Sequence, residues 1–126
     1  MKAFAHAAAA GLIMRGFESR TAAHIAHLQT KSYAAHKALG EYYDGIIDLV
    51  DSFAEGYQGI YGIIAQYPDY DEIEREKDMV KMLTNLRDWI TAHRAEAGRG
   101  QTELENDIDS ITSLINSTLY KLKHLS

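Results

Sequence analysis

The strongest constraint on this chain is a run in its middle. His36, Leu39, Tyr43, Ile46, Val50, Phe53, Tyr57 and Ile60 follow one another at alternating steps of three and four. A strand would alternate every two residues; this spacing puts the run on one side of a helix. A helix that long with one apolar seam is stable only when the seam packs against other helices. One proline among 126 residues leaves little to interrupt such elements.

The rest of the chain supplies three partners. A first helix is expected over 3–30, where Ile13, Phe17, His24 and Leu28 recur at helical spacing. Met1 to Met14 has one lysine, no acid and the run Ala7 to Ala10, which faintly resembles a signal or transit peptide. His6 interrupts the apolar stretch and the helical pattern continues through Phe17, so the segment is read as the start of the helix. Ser32 is a suitable N-cap for the second helix, expected over 33–58. Gly56, Gly59 and Gly62 predict that regular helix fails near Gly59, with 60–70 as a connection. Asp71-Glu72-Ile73-Glu74 has the form of a capping box and opens a third helix over 71–97. Met79, Met82, Leu86, Trp89 and His93 mark its buried face, with Leu83 and Ile90 alongside. After the turn Gly98-Arg99-Gly100, a second capping box from Thr102 to Glu105 starts the fourth helix, over 102–124. Leu104, Ile108, Ile111, Ile115, Leu119 and Leu122 form its stripe. The expected fold is all-α, a single four-helix-bundle domain over 1–126.

Topology turns on residues 57–71. Extended, about 15 residues reach roughly 50 Å, enough to cross a bundle lengthwise. If helix two instead ran to Gln66, a turn at Pro68 would make a plain hairpin. The three glycines favour the crossover.

Charge and composition narrow the function. Thirteen Lys+Arg against eighteen Asp+Glu give a net charge of −5, which disfavours direct DNA binding through phosphates. The absence of cysteine excludes disulfides, thiolate metal sites and cysteine nucleophiles. No apolar run reaches the ~18 residues of a membrane span. No nucleophile elbow or phosphate-binding loop is present.

Histidines and carboxylates gather around the junction of the first two helices. His24 and His27 lie three apart, His36 follows the turn, and Asp44, Asp48, Asp51 and Glu55 project from helix two. Imidazole with carboxylate suits iron, manganese or zinc. Asp51 and Glu55, four apart, share one side of a helix. Asp51 lies off the Val50/Phe53 seam, so it is expected at the bundle edge, where it would serve a subunit interface. The plainer alternative is that each histidine packs or is solvated and that the acids form a wet face. His6, His93 and His124 are read as structural, the Met79/Met82/Trp89 stripe as core, and the tyrosines as bundle and interface filler.

The stretch His27-Leu28-Gln29-Thr30, Tyr33-Ala34-Ala35-His36-Lys37-Ala38-Leu39 and Asp51-Ser52-Phe53-Ala54-Glu55 resembles the miniferritins, the DNA-protecting Dps proteins of the ferritin-like superfamily. It is similar, more closely, to small uncharacterised Dps-like proteins of phages and bacteria. The shared spacing is an Asp fifteen residues after the helix-two histidine, with Glu four further on. The resemblance implies a ferritin-like bundle with a long crossover between helices two and three. It also implies an inter-subunit metal site: His27 and His36 of one chain, Asp51 and Glu55 of another. His24, Glu41 and Asp44 form a second tier, and whether His24 or His27 is the match stays open. Iron is the implied metal, with zinc or manganese, or no metal, as alternatives. The implied activity is ferroxidase or iron storage in a homo-oligomer, from a dimer to a dodecamer. The implied setting is the cytoplasm of a bacterial or phage-infected cell, or the virion. Gly40 stands where the family has an Asp, Leu28 where it has a Trp, and there is no lysine-rich tail. These departures support the competing reading, a non-catalytic phage or prophage assembly bundle with a vestigial site. A hydrolase on a helical bundle is a third, weaker reading.

Overall fold

The structure is a computed structural model and describes residues 6–69 and 76–125. Four helices account for most of them: α1 Ala7–Gln29, α2 Tyr33–Tyr61, α3 Met79–Gly98 and α4 Thr102–His124. No strand occurs among the described residues. Helix α1 packs on α2 and α3, and α4 packs on the same two. The helices therefore form a ring in the order α1, α2, α4, α3, an all-α four-helix bundle.

The helix boundaries follow local chemistry. Ser32 caps α2, its hydroxyl accepting from the Ala35 amide at 3.2 Å. Helix α2 runs past the expected failure at Gly59 and ends at Tyr61. Gly62 at φ 91° is the actual stop, a left-handed-side backbone conformation that side-chain-bearing residues rarely adopt. Helix α3 begins at Met79, later than expected, because Asp78 accepts from the Val80 and Lys81 amides. The 71–74 capping box, like residues 1–5, lies outside the described residues. Thr102 is the first residue inside α4 rather than its cap; Gln101 holds the cap position without a side-chain bond, so the second capping box does not form.

The core follows the expected seams with two shifts. Leu39, Ile46, Val50, Phe53 and Tyr57 are buried on α2, but Tyr42 is fully buried where Tyr43 was expected. His36 and Ile60, at the ends of the run, are exposed. A strict three-four run drifts about 20° per heptad on a straight helix, so its ends rotate out of the interface. On α1 the buried face is made of Ala9, Ala10, Leu12, Ile13, Ser19 and Ala23, whereas Leu28 is 72% exposed. Small residues let α1 lie close to its neighbours. Ser19 Oγ donates to Gly16 O at 2.7 Å, so it is left to accept from the Tyr42 hydroxyl, also at 2.7 Å. On α3 the buried line is Met79, Met82, Leu83, Leu86 and Ile90, with Trp89 and His93 only partly covered. On α4 the expected stripe from Leu104 to Leu119 is buried, with Leu122 partly so.

Each end of the bundle has its own contacts. At one, His6 and the buried Tyr57 share a hydrogen bond of 2.8 Å, and the Arg99 guanidinium lies 3.9 Å over the Tyr61 ring. At the other, Lys121 pairs with Glu41 at 2.7 Å, and Met79 lines one cavity with Ala26 and Gln29.

Candidate functional site: the histidine junction of α1 and α2

The three-residue break Thr30-Lys31-Ser32 folds the end of α1 back on the start of α2 and brings His27 against His36. Their rings stack with centroids 3.6 Å apart and planes 19° apart. The contact is reciprocal. His27 Nδ1–H donates to the His36 carbonyl, and His36 Nδ1–H donates to the His27 carbonyl at 2.8 Å. A carbonyl only accepts, so both Nδ1 atoms carry protons, and Nε2 is the one ring nitrogen of each that can offer a lone pair. His24 stacks on Tyr43 at 4.1 Å, and Tyr43 meets the His27 ring edge-on at 5.2 Å.

Gly40 is part of this arrangement. A Cβ at that position would lie 3.2 Å from His27 Cε1. The His27 ring rests against the bare helix surface there, so the aspartate that the resemblance would expect is replaced by the residue that leaves space for the stack.

The predicted carboxylates are elsewhere. Asp51 lies fifteen residues and Glu55 nineteen residues beyond His36 on the same unbroken helix, about 22 and 28 Å along its axis. Asp44, Asp48, Asp51 and Glu55 are all exposed and form one stripe on the side of α2 away from the core. Asp51, expected at the bundle edge, is exposed in the single chain. Glu41 is taken by Lys121, whose hydrogen bond holds its carboxyl below the ordinary value. No group of three or more potential ligands converges among the described residues.

This geometry tests whether the donor set suits a metal. An ion bound by imidazole sits in the ring plane about 2 Å from nitrogen. Two nearly parallel planes 3.6 Å apart share no such point. As stacked, His27 and His36 do not hold one ion together, and the carboxylates of the same chain are too distant to complete a shell.

Similarity to known proteins gives the family. Residues 27–122 match a family of unknown function, DUF5856. The chain belongs to that family. The match begins at His27 itself and takes in the stack, Gly40 and both helices that follow. The chain is also 32% identical over 101 residues to an uncharacterised 14.6 kDa protein from the mobD-ri intergenic region of Enterobacteria phage T4. That alignment covers 79% of this chain and 75% of the phage protein. No solved structure matches the chain.

The junction also exposes apolar residues that helical spacing does not mark as surface. Near the end of α1 and the start of α2, Ile25, Leu28 and Tyr33 are 51%, 72% and 77% exposed, with Ile25 lining the α1–α3 cavity. Their exposure was hidden because Leu28 fits a helical stripe as well as a buried residue would. Tyr43 was assigned to the seam and instead packs on His24 and His27. Among the described helices none is long and apolar enough to cross a membrane.

Proposed function

We propose that this chain is a non-catalytic helical module of phage or prophage origin that works by docking to other chains, a second copy first among them. The carrying observation is the α1–α2 end, where Ile25, Leu28 and Tyr33 present large apolar surface beside a rigid, hydrogen-bonded turn. Exposed apolar surface of this kind marks interaction sites more often than it marks catalysis. The interior supports the same reading: apart from Glu18, Ser19 and Thr118 it is packed with apolar side chains, and no buried side-chain polar atom lacks a partner among the described residues. The phage T4 relative supports the setting, the cytoplasm of an infected or lysogenic cell or the virion.

A ferritin-like connectivity fits this module. Tyr61 lies beside Arg99 at one end, and Met79 beside Ala26 and Gln29 at the other. The 17 residues 62–78 would then cross the bundle lengthwise, within their reach of about 56 Å.

One observation favours a second reading, a ferritin-like metal-binding protein with iron oxidation or storage as its activity. Both Nδ1–H groups are anchored on carbonyls, which is how ligating histidines are oriented. Iron, or zinc or manganese, would be held by His27 and His36 of one chain with Asp51 and Glu55 of another, once the stack opened.

Native mass and thermal unfolding, each with EDTA and with added Zn(II) or anaerobic Fe(II), separate the two. The docking reading predicts a mass above the 14.1 kDa monomer and a melting temperature unmoved by either treatment. A monomer would contradict it. Stabilisation of about 2.7 kcal/mol at a hundredfold excess over Kd, lost on His36→Ala with Asp51→Ala, would favour metal.

A further inference from the structure

The geometry points to a carboxylate-binding pocket between α1 and α3, with Arg15 as its anion clamp and Trp89 as its wall. The pocket has a volume of about 170 Å³, the size of a side chain or a small acid. Arg15 reaches it from α1, and its guanidinium carbon lies 4.2 Å from the Trp89 ring centre. Trp89 is itself fixed, because His93 stacks on it at 4.0 Å and anchors its own ring on the Trp89 carbonyl at 2.8 Å. The Arg15 side chain is therefore held in one plane by packing before any ligand arrives.

Its hydrogen bonds are incomplete. Nη1 makes a long contact with Gly11 O at 3.5 Å, and no ion pair to Arg15 exists among the described residues. Among the described residues the Nε/Nη2 edge has no partner. That edge is the planar fork that takes a carboxylate through two parallel bonds. Arg94, by contrast, has Asp109 and Glu105, and Lys121 has Glu41. Arg15 is half-buried, and desolvation by burial lowers its pKa. A half-buried cation with a preset donor edge gains most from an anion.

The surroundings choose the class of anion. Met82 and Leu86 supply an apolar floor, which suits a carboxylate on a hydrocarbon stem. Glu76 lines the same pocket and spends Oε1 on the Asp78 amide at 3.0 Å. Its charge and the single guanidinium disfavour a phosphate dianion. An acidic side chain of a partner polypeptide and a free short-chain acid share the required chemistry.

Trp89 is the one tryptophan of the chain, so its fluorescence reports this pocket without labelling. The full-length protein is titrated with propionate, with N-acetyl-glutamate amide as a side-chain stand-in, with propionamide and with inorganic phosphate, at constant ionic strength. The expected result is a saturable change with one or both carboxylates, and none with propionamide or phosphate. Tighter binding of the glutamate derivative assigns the natural source to a polypeptide, and of propionate to a free acid. Arg15→Met should weaken binding at least tenfold with the helical circular dichroism unchanged; Arg15→Lys, which keeps the charge but not the fork, should weaken it less. An absent response to both carboxylates, an equal response to propionamide or phosphate, or full binding by a folded Arg15→Met protein would overturn the assignment. If Arg15→Met fails to fold, the amide and phosphate arms on the wild-type protein still decide it.

Discussion

The two ends of the bundle close in different ways. At the α1-start end, Tyr57 is buried against Phe53 and Leu104 caps the core, with His6 and Arg99 laid over the outside. At the α1–α2 junction the closing groups are polar and partly wet, and the apolar side chains point outward. The first end is held by burial, which is worth about 25 cal/mol per Å². The second is held by two exchanged hydrogen bonds and a ring stack, each worth about 1 kcal/mol net. Stability concentrates at the first end, although Ile60 and Ile63 are exposed there too; at the second, Leu28 and Tyr33 are exposed beside a turn held mainly by hydrogen bonds.

Truncation at each end tests this directly. Leu104→Ala, in the sealed end, should cost about 2–5 kcal/mol, since Leu104 is fully buried and its cavity cannot collapse without moving the helices. Urea unfolding measures it. His27→Ala at the junction should cost about 2 kcal/mol, because its ring bond and the stack are both lost while the His27 carbonyl still serves His36. A cost at the junction equal to that of Leu104→Ala would erase the distinction between the ends.

A subtler change sharpens it. Gly40→Ala in a helix interior ordinarily gains up to about 1 kcal/mol. Here the new methyl would meet the pinned His27 ring at 3.2 Å, so the gain should vanish. In the His27→Ala background it should return, which a double-mutant cycle reads as coupling.

The smallest effect is electrostatic. The Arg94 hydrogen bond holds the Asp109 carboxyl below its ordinary value, on the surface between α3 and α4. Its contribution is complete above the unfolded carboxylate pKa and is lost as pH falls through the lowered folded value. Asp109→Asn should flatten the acid side of the stability profile slightly, and added salt should shrink the difference.

These contrasts also explain what the sequence could reveal. The α2 and α4 seams were legible because burial repeats at helical spacing: Ile46, Val50 and Phe53 face Leu104, Ile108 and Ile111 as a core must. The α1 face was not, since alanine and serine carry no strong apolar signal and Leu28 supplied a false one. The pairing of His27 with His36 could be suspected from the short turn. The direction of their Nδ1–H bonds could not, because those bonds end on backbone carbonyls that no residue identity marks. Asp51 and Glu55 were readable as a pair on one helix face, but which face depends on the phase of the seam. Arg15 gave no signal at all, as its isolation depends on which helices flank it.

If the α1–α2 end is the contact surface proposed above, charges placed there should break the assembly. Light scattering on the full chain, comparing Leu28→Asp with Tyr33→Asp against Ile63→Asp beyond the other end of α2, tests it most directly. Ile63 is 79% exposed, so it controls for the loss of apolar surface alone. The expected result is an assembly larger than the 14.1 kDa monomer that falls to monomer in the double variant and survives in the control. An unchanged mass in the double variant, or dissociation by Ile63→Asp alone, would contradict it.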